Sequence, residues 1–487
     1  MTTATAPQQR PAGRPGPASP GPAGRYGWGP LLVVLAGTFM ALLDFFIVNV
    51  ALPSIQSGLH ASRAAVQLII AGYGLTFATG MISGGRLGDL YGRRRMFMTG
   101  LALFTLTSAA CGLAPGAGLL IGARVLQGAA GALMTPQVLA IIGIVYAGSR
   151  RDRAFAAYGL AMGFAGVLGQ LLGGAIITAS VGGSGWRGIF LINVPVGLTA
   201  LVLARRVIPE SAGHGVRSST GPSNAGRLDL AGTALATAGL AAVVAPLIEG
   251  QQYGWPAWTW ASLAAAPVLL GGFVVHQRRR AASGRSPLVD PGLFASRGFS
   301  VGSLAALAFG LVPASFFFVL ALFLQDGLGL SPLLSGEVFA AVGVGYFAAM
   351  MLATGLARRL GRQVLALGAA VVAAGALLLA AADGGTSWAP LLPGLAVTGF
   401  GIGLVLVPLS ATVLAGVDPG HAGAAAGVLA TAQQVGGAVG VALVGVMFYR
   451  SLGAGAFSHA MTVALILLAG LTAATAALVQ LLPRRAR

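Results

Sequence analysis

Apolar runs long enough to cross a bilayer recur along this chain of 487 residues and leave it few folds to choose from. A membrane-spanning helix needs about 20 apolar residues. About fourteen runs approach or exceed that length, near residues 28–51, 64–85, 96–114, 117–146, 154–179, 187–207, 228–249, 257–276, 298–324, 334–357, 363–382, 388–415, 421–449 and 460–482. Only 8% of the residues are charged, whereas soluble domains carry about a quarter. The sequence therefore predicts an all-α polytopic protein whose surroundings are a lipid bilayer.

The positively charged residues predict the orientation of these spans. All 29 basic residues are arginine, and 25 of them fall in alternate connections once the N-terminus is placed inside. Cytoplasmic segments carry such an excess, and tryptophan marks the membrane interfaces. Five of the six tryptophans then lie at the outer interface, namely Trp186, Trp255, Trp258, Trp260 and Trp388. Both termini are predicted to be cytoplasmic. Because the arginines form no basic face with interleaved aromatics, no nucleic acid is expected as a partner.

Two pairs of similar segments suggest an internal duplication. GRLGDLYGRRR at 85–95 resembles TGLARRLGRQ at 354–363, an offset of 269 residues, and GQLLGGAI at 169–176 resembles AQQVGGAV at 432–439, an offset of 263. Parallel repeats of this kind place the substrate path where the two halves meet. The alternative is that Gly-Gly pairs recur by chance in a chain with 76 glycines.

The duplication divides the chain into five parts. We expect a disordered basic tail at 1–27, a six-helix bundle at 28–208, a linker with two extra transmembrane helices at 209–297, a second six-helix bundle at 298–482 and a basic tail at 483–487. The tail is rich in proline, glycine and alanine, a composition typical of disorder. The two extra helices are then an insertion between the halves.

Asp44 and Arg124 are charged residues inside predicted spans. Asp44 precedes Pro53 by 9 residues, about 13 Å at the helical rise, and Arg124 lies roughly 10 Å below the outer start of span four. We therefore expect direct contact or contact through one water. Burial favours a neutral carboxylate and a nearby arginine a charged one, so this pair is a candidate for proton coupling, with Glu337 as a second carboxylate. The alternatives are a static ion pair and, for Glu337, a solvated interface residue.

Polar side chains in other spans are candidates for the lining of a substrate cavity, which would also include Asp44. They are Asn49, Gln67, Gln127, Gln170 and Gln433. Each could instead form only hydrogen bonds between helices. Phe45, Phe46 and the run 316–318 could wall an apolar pocket or face lipid. The glycines expected at close helix contacts are Gly128, Gly169, Gly173 and Gly174.

Four motifs resemble the major facilitator superfamily, and within it the fourteen-span drug:proton antiporters. GRLGDLYGRRR matches the signature G-x-x-x-D-x-x-G-R-[KR], and ARVLQGAAGA at 123–132 resembles the R-x-x-Q-G pattern of span four. LDFFIVNVALP at 43–53 and WRGIFLINVPVG at 186–197 are similar to signatures of the fourteen-span branch. The resemblance extends from about Gly29 to Pro483. It implies two six-helix bundles plus two central helices.

The signature loop has an implied role as a gate at the inner mouth. Its candidate residues are Gly85, Asp89, Gly92, Arg93 and Arg94. In the family such a loop forms salt bridges and caps a helix in one alternating-access state and releases them in the other. The alternative is plain positive-inside orientation, which explains the arginines but neither the aspartate nor the glycines.

The resemblance implies proton-coupled efflux of hydrophobic, cationic or polycyclic drugs across the cytoplasmic membrane by a monomer that uses the proton gradient and no cofactor. One departure keeps a uniporter or uptake symporter open. AGVLGQLLGG at 165–174 has Gln170 where the antiporter pattern has proline. An enzyme is not expected, because no cluster of catalytic groups is found. The histidines lack metal-ligand spacing, so no metal is expected, and no phosphate-binding loop for ATP is present.

Overall fold

Long helices make up the part of the chain that the computed structural model describes, residues 27–209, 229–285, 287–382, 387–414, 417, 422–454 and 456–482. In chain order they are α1 Gly29–Leu59, α2 Arg63–Tyr91, α3 Arg93–Gly112, α4 Ala117–Val145, α5 Gly148–Ala179, α6 Gly188–Leu191, α7 Asn193–Val207, α8 Leu230–Gln252, α9 Ala257–Ala282, α10 Arg297–Leu322, α11 Pro332–Leu360, α12 Gln363–Ala382, α13 Leu391–Leu414, α14 Ala422–Ala454 and α15 Phe457–Gln480. Short 3-10 and π turns join some of them, and these ranges contain no strand. The predicted tails lie outside the described residues, apart from Gly27.

Twelve helical segments of the described chain are long and apolar enough to cross a membrane. The bent helix α5, Gly148–Gly166 followed by Leu168–Ala179, raises the number to 13 when it is counted as one span. Helix α3 has 20 residues but begins with three arginines and is not among the twelve. In the described residues the expected all-helical architecture with many segments able to cross a membrane is therefore confirmed, and the count of fourteen spans stays a prediction.

Helix boundaries follow from local chemistry. The Ser62 hydroxyl accepts a hydrogen bond from the Ala65 N–H at 3.1 Å and caps α2. Ser331 does the same for α11 through the Leu334 N–H at 3.3 Å. Such caps satisfy one of the backbone donors that the first turn of a helix leaves unpaired. Pro332 then occupies the first position of α11, where its missing N–H costs nothing.

The helices pack in two sets with two lines of contact between them. In the first set, α2 packs against α4, α3 against α4 and α7, and α1 against α5 and α7. In the second, α10 packs against α14 and α15, α12 against α13 and α15, and α11 against α13. The sets meet along α5 and α11 and along α2 and α14. The domain boundaries at 28–208 and 298–482 stay predictions.

The glycines expected at close helix contacts all lie where two helices approach each other. A Cβ on Gly169 would be 2.9 Å from the Phe46 Cβ, and one on Gly173 would be 2.8 Å from the Ile47 Cγ1, both on α1. On Gly174 it would be 2.8 Å from the α11 Cα of Leu333. Gly128 faces α2 in the same way, 3.1 Å from the Tyr73 carbonyl carbon. Larger side chains at these positions would push the helices apart.

Helices α8 and α9 are joined at one end by a polar cluster around Asp229. Its carboxylate caps α8 through the Gly232 N–H at 2.9 Å and accepts a hydrogen bond from the Gln277 amide at 2.8 Å. His276 Nε2 lies 2.8 Å from the same carboxylate and Arg280 Nε 3.7 Å. The cluster therefore fixes the first turn of α8 to the last turns of α9.

This cluster also connects to the rest of the chain. Gln277 Oε1 accepts the Leu288 N–H at 2.6 Å, which anchors the segment that leads to α10. The hydroxyls of Thr233 on α8 and Ser83 on α2 are 2.9 Å apart and share a hydrogen bond. Helix α8 is thus attached to α2 two residues before Gly85 of the signature loop.

We expect Asp229→Ala to lower the apparent unfolding temperature of the detergent-purified protein at pH 7, because loss of a helix cap alone costs about 1 kcal/mol. Burial raises the pKa of Asp229, but hydrogen bonds from His276, Gly232 and Gln277 and the charge of Arg280 outweigh it and leave the pKa lowered. A carboxylate of this kind stabilises the fold above its ordinary pKa of about 4. The contribution is lost as the pH falls through the lowered value.

Tryptophan fluorescence during heating, at a series of pH values, measures this effect. The difference between wild type and Asp229→Ala should narrow below about pH 4. Asp290→Ala is the matched control, since Asp290 caps a short 3-10 turn through an exposed hydrogen bond. Equal losses in the two variants at pH 7 would contradict the assignment.

Candidate functional site at a buried ion pair

Asp44 and Arg124 are in direct contact in the interior of the first helix set. Asp44 lies in the middle of α1 and Arg124 in the first third of α4, and they are 0% and 1% exposed. An Nη1–H of Arg124 donates to Asp44 Oδ2, which gives an ion pair and a charge-assisted hydrogen bond. The helical rise predicts that the two residues lie at the same depth, and in the structure their side chains are in contact.

Two amides complete the coordination of the carboxylate. Asp44 Oδ1 accepts hydrogen bonds from Gln127 Nε2 at 3.0 Å and from Asn193 Nδ2 at 3.1 Å. Arg124 in turn donates from Nη1 to Gln127 Oε1 at 2.8 Å and from Nε to the Ile69 carbonyl at 3.2 Å. Both oxygens of a carboxylate buried away from water are therefore paired, which is the condition for its burial.

Ser108 of α3 joins the two amides from the other side. Its hydroxyl accepts from Gln127 Nε2 at 3.0 Å and Asn193 Nδ2 at 2.9 Å, and it donates to the Phe190 carbonyl at 3.1 Å. The Cys111 thiol donates to Gln127 Oε1 at 3.5 Å. Groups from α1, α2, α3, α4, α6 and α7 thus meet in one hydrogen-bond network.

Aromatic rings flank the guanidinium. Its carbon lies 4.1 Å from the centroid of Tyr73 and 5.8 Å from that of Phe190. The Tyr73 hydroxyl donates to the Ala41 carbonyl of α1 at 3.4 Å. A cation held over a ring in a desolvated place gains roughly 2 kcal/mol from this contact. Tyr73 therefore supports both the charge of Arg124 and the contact between α1 and α2.

The burial of Asp44 differs from the expectation that it lines a substrate cavity. Neither Asp44 nor Gln127 has any solvent-exposed surface in this conformation. The reason is that Arg124 and the two amides already provide every hydrogen bond that the carboxylate needs. A role for these residues in a substrate cavity requires a conformation in which the packing around them opens.

The other predicted cavity residues are not part of this network. Asn49 donates to the carbonyls of Phe45 at 3.3 Å and Phe46 at 3.1 Å, within its own helix. Gln67 on α2 is buried beside α14, Gln170 on α5 is buried beside α11, and Gln433 on α14 is half-buried. Glu337 on α11 is exposed and is not among the partners of Asp44. Gln67 and Gln170 therefore lie where the two helix sets face each other, whereas Gln433 packs against α10 of its own set.

The predicted gating loop is a tight connection between α2 and α3. Gly92 has φ 98° and ψ 132°, a conformation that favours glycine. Arg94 Nη2 donates to the Arg205 carbonyl near the end of α7 at 2.6 Å. Gly85 faces Pro136 of α4 at ordinary contact distance, and Arg93 begins α3. The side chain of Asp89 lies outside the part of the chain that the structure describes.

Several residues of the network are missing from the sequence-based predictions. Asn193 lies in the WRGIFLINVPVG motif, where it is an amide in an apolar run, so a signal was present. Ser108 and Tyr73 carry no such signal, because serine and tyrosine are ordinary residues in membrane helices.

Gln137 of α4, outside this network, is buried and donates to the Gly84 carbonyl of α2 at 2.7 Å. Within the described residues no group of three His, Cys, Asp or Glu could hold a metal ion.

Comparison with known proteins relates this arrangement to a family. The profile of the Major Facilitator Superfamily matches residues 34–441. The chain is 38% identical to the "Probable actinorhodin transporter" of Streptomyces coelicolor, over 92% of this chain and 78% of that protein. It is 38% identical to the "Puromycin resistance protein" of Streptomyces alboniger, over 87% and 82% of the two chains. With the "Cephamycin export protein" of Amycolatopsis lactamdurans it shares 37% identity over 85% and 83%.

Solved structures agree on the fold. A bacterial homolog of the human lysosomal transporter Spinster superimposes with a TM-score of 0.67 at 17% identity. The superposition covers 94% of this chain and 98% of that homolog. The D-xylose-proton symporter superimposes with a TM-score of 0.65 at 16% identity, with the same coverage. At this level of identity the likeness concerns architecture. Together with the family match it shows that this multi-pass membrane protein is a transporter rather than an enzyme, and that the chain belongs to the Major Facilitator Superfamily.

Proposed function

We propose that this transporter exports hydrophobic, drug-like molecules across the cytoplasmic membrane in exchange for protons. The observation that carries the proposal is the buried pair of Asp44 and Arg124, because ionisable groups inside a membrane are costly and are kept where function needs them. Relatives named for cephamycin export and puromycin resistance support the direction of transport. The energy source is the proton gradient, no cofactor takes part, and the monomer is the working unit.

The proposed topology has fourteen spans with both termini in the cytoplasm. The twelve apolar segments, the bent α5 and the twenty-residue α3 together supply that number. The arginine distribution supports the orientation. In this arrangement the halves are 28–208 and 298–482, and α8 and α9 are the inserted pair.

Export occurs by rocking of one half against the other. In the proposed orientation, the outer ends of the halves are linked by a hydrogen bond from Gln325 Nε2 to the Val50 carbonyl at 2.7 Å and by Arg63, which lies 5.1 Å from the Tyr449 ring centroid. These contacts must break before a substrate can leave to the outside. The gating loop at the inner mouth, which Arg94 attaches to α7, acts on the opposite side.

Proton transfer acts on this cycle through Asp44. A proton on the carboxylate removes the counter-ion of Arg124, which then keeps only the Gln127 and Ile69 oxygens and the Tyr73 ring. A buried charge without its partner costs about 3–5 kcal/mol. Protonation therefore favours a conformation in which the network opens to water or substrate. Glu337 remains the second candidate carboxylate.

A uniporter or an uptake symporter is the second candidate function. It is favoured by Gln170, which stands where the antiporter motif has proline. The fold does not separate these functions, because the D-xylose-proton symporter has the same architecture. Coupling and direction must be measured.

Asp44 is expected to couple transport to the pH gradient. In liposomes that contain the purified protein, an imposed pH gradient should drive uphill movement of puromycin, and Asp44→Asn should reduce that movement about tenfold or more, the scale of a coupling free energy of about 1–3 kcal/mol. Radiolabelled puromycin measures the transport. If transport ignores the gradient and survives in Asp44→Asn, antiport is wrong and the pair is only structural.

The planar shape of the Arg124 guanidinium is expected to matter for transport as well as its charge. Arg124→Lys keeps the charge but loses the planar fork that serves Asp44, Gln127 and Ile69 at once. Gradient-driven transport should fall several-fold at an equal amount of folded protein.

The matched control for Arg124→Lys is Arg187→Lys. Arg187 also lies over an aromatic ring, 4.4 Å from the Trp186 centroid, and donates to the Ala114 carbonyl at 3.1 Å, but it lies outside the network. This variant should transport at the wild-type rate. Equal losses in the two lysine variants would mean that any stacked arginine of this half matters and that the ion pair has no special role.

A further inference from the structure

The amide of Gln170 is buried without a partner. The residue is 1% exposed, and neither Oε1 nor Nε2 has a hydrogen-bond partner. Of the buried glutamines in the described residues, it is the one whose two amide atoms are both fully buried and without a hydrogen-bond partner. A buried amide that forms no hydrogen bond destabilises the conformation that contains it. Its presence calls for a partner that binds there.

Gln170 lies in the stretch where the backbones of α5 and α11 approach each other. A Cβ on Gly336 would be 3.4 Å from the Cα of Leu171, and Gly174 packs against Leu333 one turn away. The hydroxyl of Ser335, next to Gly336, is also buried without a partner. Unpaired polar groups therefore occur on both helices of the line along which the halves meet.

Aromatic rings lie at the same junction. Phe46 of α1 and Phe317 of α10 make an edge-to-face contact with centroids 5.6 Å apart, and Phe317 stacks on Phe339 of α11 at 5.9 Å. Phe46 also contacts α5 beside Gln170, since a Cβ on Gly169 would be 2.9 Å from the Phe46 Cβ. The rings come from both helix sets, and Phe46 lies against the turn of α5 that carries Gln170.

We infer, resting on the proposed export function, that Gln170 and the rings of Phe46, Phe317 and Phe339 form a subsite for a planar polycyclic aromatic substrate that carries hydroxyl or carbonyl groups. The rings provide faces for stacking. The amide provides one donor and one acceptor for the oxygens at the substrate's edge. The substrate needs no charged group at this subsite, because the Asp44 carboxylate is already paired with Arg124. The proline of the family motif could not make these hydrogen bonds, so the subsite depends on the glutamine at position 170.

Equilibrium binding to the full-length protein in detergent tests the subsite with two probes of similar shape. Quinizarin is a planar dihydroxyanthraquinone, and anthracene has the same three fused rings without oxygen. Gln170→Met keeps the side-chain length and removes the amide. It should raise the Kd of quinizarin about tenfold, the effect of losing one good hydrogen bond. The Kd of anthracene should not change, and Phe317→Ala should weaken binding of both probes.

Folding is checked in the same samples. Gln170→Met should unfold at the wild-type temperature or above it, since no hydrogen bond of the fold is lost; a lower temperature would mean that the amide has a structural role. Gln363→Met is the control, because that exposed amide on α12 bonds only to Gln480 at the far end of the second half. It should leave both Kd values unchanged.

The outcomes separate this inference from the export proposal. If quinizarin does not bind to the wild type, or if Gln170→Met leaves the ratio of the two Kd values unchanged, the subsite is wrong. Gradient-driven transport of puromycin is measured independently and would stand in that case. If the wild-type protein shows no gradient-driven transport of puromycin, the export proposal is wrong. The ratio of the quinizarin and anthracene Kd values would still test the subsite.

Discussion

The first half of this protein depends on one interaction, the ion pair between the Asp44 carboxylate and the Arg124 guanidinium, which are both removed from water. Their separate burial would cost several kcal/mol for each ion, so the surrounding helices must provide partners for every remaining lone pair and proton. Gln127 of α4 and Asn193 of α7 do this for the carboxylate, and Ser108 of α3 holds the two amides in place. The rotation of each of these helices about its axis is thereby fixed, because an amide that points elsewhere leaves a charge unpaired.

The sequence predicts the pair because the rise of a helix is constant. Counting residues from Pro53 and from the outer start of span four places Asp44 and Arg124 at one depth. The count cannot predict Asn193 or Ser108, since the side of a helix that faces a neighbour depends on packing of the whole bundle. The same limit applies to Asn49, which bonds within α1, and to Glu337, which is exposed. The sequence also has an apolar run at 96–114, but the helix that contains it, α3, begins at Arg93, and its three arginines lower the mean hydropathy of the helix.

Gln170 illustrates a different limit. Comparison with the family motif marks the position as unusual, but a glutamine in a membrane helix normally finds a partner on the next helix. Gln127 and Gln325 do so, and Gln170 does not. The distinction depends on the close approach of α5 to α11, which brings backbone rather than polar side chains to this position. Sequence alone therefore locates the residue and leaves its hydrogen-bonding state open.

Helix α8 packs against helices of both sets, α2 and α14. Val244 and Ile248 of α8 pack in one apolar cluster with Leu75 of α2 and Ala442 of α14, which belong to opposite halves. Thr233 adds a hydrogen bond to α2. Under the proposed rocking motion, this hydrogen bond would hold α8 to α2, and the apolar contacts of α8 with α14 would have to rearrange. Helix α8 thus covers one side of the contact between α2 and α14 and ties its own packing to their relative position.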